Sequence, residues 1–142
     1  MMEFLPYIAG QITQPFNLVL MFGATVIGLI FGAIPGLSGT LAVMLFMPLT
    51  YTMNASRAVV FLIALWVGGC SGAFIGSVLL GMPGSASAVA TCFDGYPMAQ
   101  AGKAGKALAI GMVASFLGTF FSAILGALLS QKIADIAFAL GP

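Results

Sequence analysis

Residues 83–106, PGSASAVATCFDGYPMAQAGKAGK, form the longest part of the chain without a continuous apolar face. They include Asp94, Lys103 and Lys106, in a chain with only four basic and three acidic residues. The segments on either side are apolar and uncharged, and a Pro-Gly pair also occurs upstream at Pro35 and Gly36. The fold therefore depends on how a short polar segment fits among apolar helices.

The composition is that of an integral membrane protein. Hydrophobic residues make up 61% of the chain and charged residues 5%, whereas soluble domains carry about 25% charged residues. Several uncharged stretches exceed the roughly 18 residues that mark a transmembrane helix. We predict an all-α, polytopic integral membrane protein in contact with the lipid bilayer. The net charge of +1 gives no basic surface for nucleic acid.

Catalytic and metal-binding residues are scarce. The chain has no histidine, and its carboxylates, Glu3, Asp94 and Asp135, lie far apart in sequence. Cys70 and Cys92 lack metal-type spacing, so we expect ordinary packing roles for both. AGKAGKA lacks the hydroxyl and the preceding strand of a phosphate loop. We therefore expect neither an enzyme nor a bound metal or cofactor, and any transport would draw on a gradient or another subunit.

Four apolar runs divide the chain, and they are residues 18–34, 41–49, 58–82 and 107–130. The second run has only about nine residues, which suits half of a hairpin better than a full span. Asn17 is expected to cap the first run. We expect residues 1–16 to lie at the membrane interface. Residues 131–142 are expected to form a juxtamembrane turn or amphipathic segment, after which the chain looks cut off rather than finished.

Small residues recur at or near a four-residue spacing in the three long runs. They are Gly28 and Gly32 in the first, Gly68, Gly72 and Gly76 in the next, and Gly111, Ser115, Gly118, Ser122 and Gly126 in the last. This spacing predicts faces on which helices approach closely. An alternative is that the middle stripe exposes backbone to a substrate. Basic residues do not set the orientation, because Arg57 and Lys132 would share one side and Lys103 and Lys106 the other.

Both Pro-Gly pairs are expected to break a membrane helix. Proline lacks a backbone donor and disfavours helical geometry before it, so carbonyl groups around residues 31–34 would lack intrahelical partners. When Pro35-Gly36 is aligned with Pro83-Gly84, Gly28 also aligns with Gly76. Paired helices that end at Pro-Gly and continue into serine-rich backbone are typical of broken-helix transporter sites. We predict Pro-Gly-broken helices, either re-entrant or discontinuous.

Backbone groups and small hydroxyls at these breaks could coordinate a small cation or bind a carboxylate. The candidate site residues for substrate or ion are Pro35, Gly36, Ser38, Gly39, Thr40, Pro83, Gly84, Ser85, Ser87, Thr91 and Asp94. An alternative reading makes Asp94-Gly95-Tyr96-Pro97 a structural turn, followed by the two lysines at a solvated helix start.

Three blocks carry a resemblance to a known family: IPGLSGTLAVMLFMPLT at 34–50, LLGMPGSASAVATCFDGYPMAQAGKAGKALAIG at 79–111 and ASFLGTFFSAILG at 114–126. Over about residues 17–130 the chain resembles the amino-terminal part of the large membrane subunit of tripartite tricarboxylate transporters, the TctA family. Its glycine motif falls on residues 35–39, with Ser38 where the family often has glycine. Its second block falls on Pro83, Gly84, Thr91 and residues 94–97. Phe74 stands where the family usually has serine.

The resemblance implies a multi-pass secondary transporter of the bacterial inner membrane. Such a transporter works with a small membrane subunit and a periplasmic solute-binding protein that delivers a carboxylate. A cation gradient drives uptake, with Na⁺ or H⁺ as the coupling ion. Residues 1–142 would then be one transmembrane domain, the amino-terminal portion of a longer subunit. The alternative is a non-transporting membrane assembly protein whose glycine-rich faces bind partner helices.

Overall fold

The computed structural model describes residues 14–140, and side chains for residues 14–129. Every regular element in that range is helical. The elements are α1 (Pro15–Ala33), α2 (Gly39–Thr50), α3 (Ala55–Leu80), a 3₁₀ turn (Ala86–Ala88), α4 (Val89–Met98), a π-helical segment (Ala99–Lys103) and α5 (Ala104–Leu140). Three stretches are long and apolar enough to cross a membrane, and they are Pro15–Ala33, Ala55–Leu80 and Ala86–Leu129. The prediction of an all-α membrane protein is confirmed.

The chain divides into two compact units, Met1–Ala104 and Gly105–Pro142. The first unit contains α1 to α4, and the second contains nearly all of α5. The assignment of residues 1–142 to one transmembrane domain stays a prediction. The expected interfacial segment at residues 1–16 falls almost entirely outside the described residues.

The first helix begins earlier than the sequence indicated. Pro15 occupies the first turn of α1, where a missing backbone N–H removes no intrahelical bond. The backbone N–H of Leu18 donates to the carbonyl oxygen of Gln14, the capping residue, at 3.1 Å. Asn17 lies inside the helix and is buried, so its predicted role as a cap is wrong.

Helices α1 and α3 run parallel and touch through glycine. Arg57 lies over the Phe16 ring at 5.1 Å near the two helix starts. Near the helix ends, a β-carbon on Gly76 would lie 3.2 Å from the carbonyl oxygen of Ala33. Between these points, added β-carbons would overlap backbone carbonyl oxygens at Gly28, Gly32, Gly68 and Gly72. The predicted close packing is confirmed, and the middle stripe faces α1.

Because α1 and α3 are parallel, residues 34–54 must carry the chain back between them. Gly39, the first residue of α2, lies against Gly69 near the middle of α3. Further along α2, the Phe46 ring lies 6.3 Å from that of Phe61, nearer the start of α3. Helix α2 therefore runs antiparallel to α3. Its 12 residues extend only ~18 Å, which agrees with the predicted half-span, although the helix continues through Pro48.

The alternative reading of residues 94–97 as a turn is wrong, because they lie inside α4. Buried Gly95 explains the difference, since its β-carbon would lie 3.0 Å from a methyl carbon of Val78 on α3. Tertiary packing thus overrides the turn preference of these residues. The backbone departs from helical geometry later, at Gly102, whose φ is 74°. Lys103 and Lys106 then lie exposed around the start of α5, as the same reading expected.

Helix α5 contains 37 residues and extends ~55 Å, well beyond a hydrocarbon core of ~30 Å. Its backbone stays helical through Leu140, so the alternative of a turn after residue 130 is wrong. Polar residues such as Gln131 and Lys132 are compatible with a helix that continues outside the hydrocarbon core. The role of the small residues of α5 in helix packing stays a prediction.

Candidate functional site

The first break follows directly after α1. Ile34 donates its backbone N–H to Ile30 at 3.3 Å, and its own carbonyl oxygen accepts from the N–H of Leu37 at 3.1 Å. The Ile34 carbonyl group, one of those expected to lack an intrahelical partner, is therefore hydrogen-bonded within this turn. Gly36 has a φ of 88°, a left-handed conformation that favours glycine. Pro35 and Gly36 are both exposed.

Ser38 has a definite structural role in the first break. Its backbone is extended, and its hydroxyl oxygen accepts a hydrogen bond from the backbone N–H of Leu41 at 3.2 Å. Its carbonyl oxygen accepts from the N–H of Ala42 at 3.0 Å. Ser38 is therefore the amino-terminal cap of α2. Gly39 and Thr40 form the first turn of that helix, with Thr40 exposed.

The second break begins where α3 ends. Gly81 adopts a left-handed conformation with φ of 68° and donates its N–H to Ser77 at 3.1 Å. Beyond Pro83 and Gly84, the extended residue Ser85 precedes the 3₁₀ turn, and its hydroxyl lies 3.1 Å from that of Ser87. Each break therefore has an extended serine just before its next helical turn.

Residues of the two breaks contact neighbouring turns near the middle of α3, a region that we call the meeting point of the breaks. A β-carbon on Gly84 would lie 2.9 Å from the carbonyl oxygen of Gly32, and 3.1 Å from the β-carbon of Ala73. A β-carbon on Gly39 would lie 3.0 Å from the α-carbon of Gly69. Gly69 and Ala73 are one helical turn apart on the same face of α3. Gly39 from the first break and Gly84 from the second therefore lie at neighbouring levels.

Thr91 and Asp94 lie further along the chain, on α4. Thr91 is half-buried, and Asp94 is exposed. Helix α4 contacts α3 near Ser77, where the thiol of Cys92 lies 3.8 Å from the carbonyl oxygen. This contact is one turn beyond Ala73, so α4 leads away from the meeting point of the breaks. The structure places Gly39 and Gly84 against neighbouring turns of α3, and it leaves Pro35, Gly36 and Asp94 exposed.

Sequence reasoning missed Gly32, Gly69 and Ala73 as residues of the candidate site. Gly32 was assigned only to helix packing, and Gly69 lies beside the stripe that starts at Gly68. A signal was present, since Gly69 and Ala73 also have the four-residue spacing of a helix face. Of the two cysteines, Cys92 packs as predicted, whereas Cys70 is exposed.

The glycine faces of the first unit are occupied within the chain itself. Gly28 and Gly32 meet the backbone of α3, while Gly68 and Gly72 meet that of α1. These faces are therefore unavailable to a partner helix. The alternative of an assembly protein that binds partners through glycine-rich faces therefore depends on the small residues of α5, and it stays a prediction.

The fold and the paired breaks define the class as an all-α membrane protein with broken helices, the architecture used by secondary transporters. The model of the tripartite tricarboxylate transporter TctA family matches residues 18–142, and the chain belongs to this family. This family is one of membrane transporter components and not of enzymes, in agreement with the prediction. The family implies a tripartite transporter that contains other subunits.

One relative is an uncharacterized 52.8 kDa protein in the TAR-I ttuC' 3' region of Agrobacterium vitis. It is 30% identical over 127 residues, a match that covers 89% of this chain and 25% of that protein. This chain thus spans about a quarter of the length of its relative. No solved structure matches the chain.

Proposed function

We propose that this chain is part of the membrane subunit of a secondary transporter for tricarboxylates or related carboxylates. It works in the bacterial inner membrane as a multi-pass protein, with a small membrane subunit and a periplasmic solute-binding protein. A gradient of Na⁺ or H⁺ drives uptake. Membership of the TctA family supports the transport role. The match to a quarter of a longer relative supports a place within a larger subunit.

The observation that carries the proposed site is that Gly39 contacts Gly69 while Gly84 contacts Gly32 and Ala73, one helical turn further along α3. In a membrane-spanning protein, irregular backbone at this depth needs partners from protein, water or ligand. Two such segments at neighbouring turns of α3 offer a concentrated set of amide, carbonyl and hydroxyl groups. The hydroxyls come from four residues, Ser38, Thr40, Ser85 and Ser87.

The helix ends at this site have opposite polarity. The amino end of α2 presents backbone N–H groups, and the Ser38 hydroxyl accepts only the one from Leu41. A carboxylate of the substrate binds favourably at this positive end. The carbonyl-rich carboxyl ends of α1 and α3 lie close to the same breaks and suit a coupling cation. Substrate and cation would then bind side by side without a charged side chain at the meeting point.

The main test is uptake of radiolabelled citrate, a tricarboxylate probe, by cells that express the complete transporter. Replacing Pro83 and Gly84 together by alanine should abolish uptake while the protein still accumulates in the membrane. Asp94→Asn tests the exposed carboxylate on α4 separately. Uptake should persist in this variant if backbone groups and hydroxyls alone form the site, and its loss would add Asp94 to the site. Gly23→Ala is the matched control, because a β-carbon at Gly23 meets nothing within 4 Å. Normal uptake by the Pro83/Gly84 variant at normal abundance would refute the site.

The coupling ion requires a separate measurement on the same cells. Replacing external Na⁺ by choline at constant pH should stop citrate uptake if Na⁺ is the coupling ion. Dissipating the pH gradient with a protonophore at constant Na⁺ should stop it if H⁺ is. Uptake that persists under both conditions would contradict a gradient-driven transporter.

A further inference from the structure

The segment between Gly81 and Tyr96 leaves α3 and then returns beside it. Gly81 ends the helix and stays bound to it through its N–H, which donates to Ser77. Three residues later, Gly84 lies against Ala73, about two turns back toward the middle of α3. The chain then enters α4, which contacts the end of α3 again. The second break is therefore a loop that runs back along α3 toward its middle and then returns to the end of that helix.

The ring of Tyr96 closes this loop. A β-carbon on Gly81 would lie 3.1 to 3.2 Å from three ring carbons of Tyr96, so the ring packs directly on the glycine. The left-handed conformation of Gly81 disfavours any other residue there. Two further residues of α4 contact α3 beside this point. The Cys92 thiol contacts the carbonyl oxygen of Ser77, and buried Gly95 packs against Val78. These contacts fix α4 on α3 at the point where the loop returns.

We propose that Tyr96 is a positioning residue for the second break. By packing on Gly81, its ring holds both ends of the 81–96 loop together. The closed loop keeps Gly84 at the depth where it meets Gly32. Tyr96 does not touch the proposed substrate, and its effect on transport acts through Gly84. The transport consequence rests on the proposed function, whereas the structural consequence does not.

Helix α4 supplies a matched control. Phe93 is also aromatic and lies on the same helix, but it is 75% exposed. Tyr96→Phe keeps the packed ring and removes only the hydroxyl. Tyr96→Ala removes the ring, and Phe93→Ala removes an aromatic ring that is largely exposed. Only Tyr96→Ala should release the loop.

The first measurement needs no transport. Ser85, half-buried in the loop, is replaced by cysteine in a chain whose Cys70 and Cys92 are replaced by alanine. The 142-residue chain is expressed in membrane vesicles and labelled with a membrane-impermeant maleimide. Loss of the Tyr96 ring should raise the labelling rate about fivefold, while Tyr96→Phe and Phe93→Ala leave it unchanged. Equal rates in the Tyr96→Ala and parent chains would overturn the proposal, as would an equal rise in Phe93→Ala.

The second measurement is citrate uptake by the complete transporter. Displacing the break weakens substrate binding, so Tyr96→Ala should raise KM about fivefold with maximal uptake per folded transporter retained. Tyr96→Phe should restore the parent KM. A purely structural role would lower the amount of folded protein without changing KM, and that result would refute positioning. Absence of citrate uptake even in the parent would contradict the proposed function. The difference in labelling rate between Tyr96→Ala and its controls would still test the role of Tyr96 in closing the loop.

A variant without the ring could fail to accumulate in the membrane. Tyr96→Leu then replaces Tyr96→Ala, because leucine keeps part of the apolar volume without the flat ring. The expected labelling and KM changes are the same in direction. Failure of both variants to accumulate would make Tyr96 a residue required for folding and would overturn the positioning role.

Discussion

Gly32 and Gly84 lie so close that a β-carbon on Gly84 would be 2.9 Å from the carbonyl oxygen of Gly32. Gly32 belongs to the last turn of α1, and Gly84 belongs to the break after α3. The contact exists because α1 and α3 are parallel, which places the carboxyl ends of both helices at the same end of the pair. Gly39 and Gly84, from the two breaks, then contact neighbouring turns of α3. Two features that are distant in sequence therefore form one candidate site.

Gly84→Ala should destabilise the chain by about 1–3 kcal/mol. Gly84 has no positive φ, so the effect would come from the added methyl group and not from backbone strain. That group would press on a backbone carbonyl, which cannot rotate away as a side chain can. Thermal unfolding in detergent, followed by helical circular dichroism, measures the change. Gly23→Ala should not lower the unfolding temperature, and equal stability of the two variants would contradict the contact with Gly32.

Gly28→Ala should separate α1 from α3, because its β-carbon would overlap the carbonyl oxygen of Leu65. We expect a loss of at least about 1–3 kcal/mol, since both atoms belong to the backbones of long helices. Trp66 is the only tryptophan of the chain, and its fluorescence on α3 reports the unfolding transition. Gly23→Ala is again the comparison on the same helix. An unchanged transition in Gly28→Ala would contradict the close parallel packing of α1 and α3.

Local sequence signals predicted much of this fold. Long uncharged runs indicated the helices, Pro35-Gly36 indicated the end of α1, and the Gly28 spacing indicated a packing face. These features follow from hydrophobicity and backbone geometry within a few residues. The placement of Gly39 and Gly84 against neighbouring turns of α3 could not be predicted in the same way. It depends on the parallel orientation of α1 and α3, which is set by how the short helix α2 returns between them.

Helix α4 shows the opposite case, in which a local signal misled. The sequence Asp94-Gly95-Tyr96-Pro97 has the residue types of a turn. In the structure, Gly95 instead lets α4 approach Val78, and the Tyr96 ring packs on Gly81. The glycine therefore serves close packing, and only knowledge of the neighbouring helix would have revealed it.

Ser38→Ala should remove the cap of α2 and destabilise its first turn by about 1 kcal/mol. The backbone N–H of Leu41 would lose its acceptor, the Ser38 hydroxyl oxygen. Hydrogen exchange at Leu41 should therefore accelerate about fivefold, and Ser38→Thr should preserve protection. Ser71→Ala is a suitable control, because the Ser71 hydroxyl bonds to the Val67 carbonyl on the exposed side of α3. Unchanged exchange at Leu41 in Ser38→Ala would contradict the capping role.

Phe16→Leu should weaken the attachment of α1 to α3 at their amino ends. The Arg57 guanidinium lies 5.1 Å from the centre of the Phe16 ring, a geometry worth about 0.5–1 kcal/mol at an exposed position. Phe22→Leu is the matched control, since Phe22 lies on the same helix and is 74% exposed. A double-mutant cycle with Arg57→Met, measured by unfolding in detergent, isolates the pair. Strict additivity of Phe16→Leu and Arg57→Met would contradict the interaction.

A second double-mutant cycle, which combines Phe16→Leu with Gly84→Ala, tests how far the two ends of the α1–α3 pair are independent. Phe16 and Arg57 lie near the starts of the helices, whereas Gly84 contacts Gly32 and Ala73 toward the other end. Because these contacts share no residue, Phe16→Leu and Gly84→Ala should add within about 0.5 kcal/mol. A larger coupling would mean that the helices shift as one rigid pair when either end is disturbed. In that case a substitution near Arg57 would also displace the candidate site.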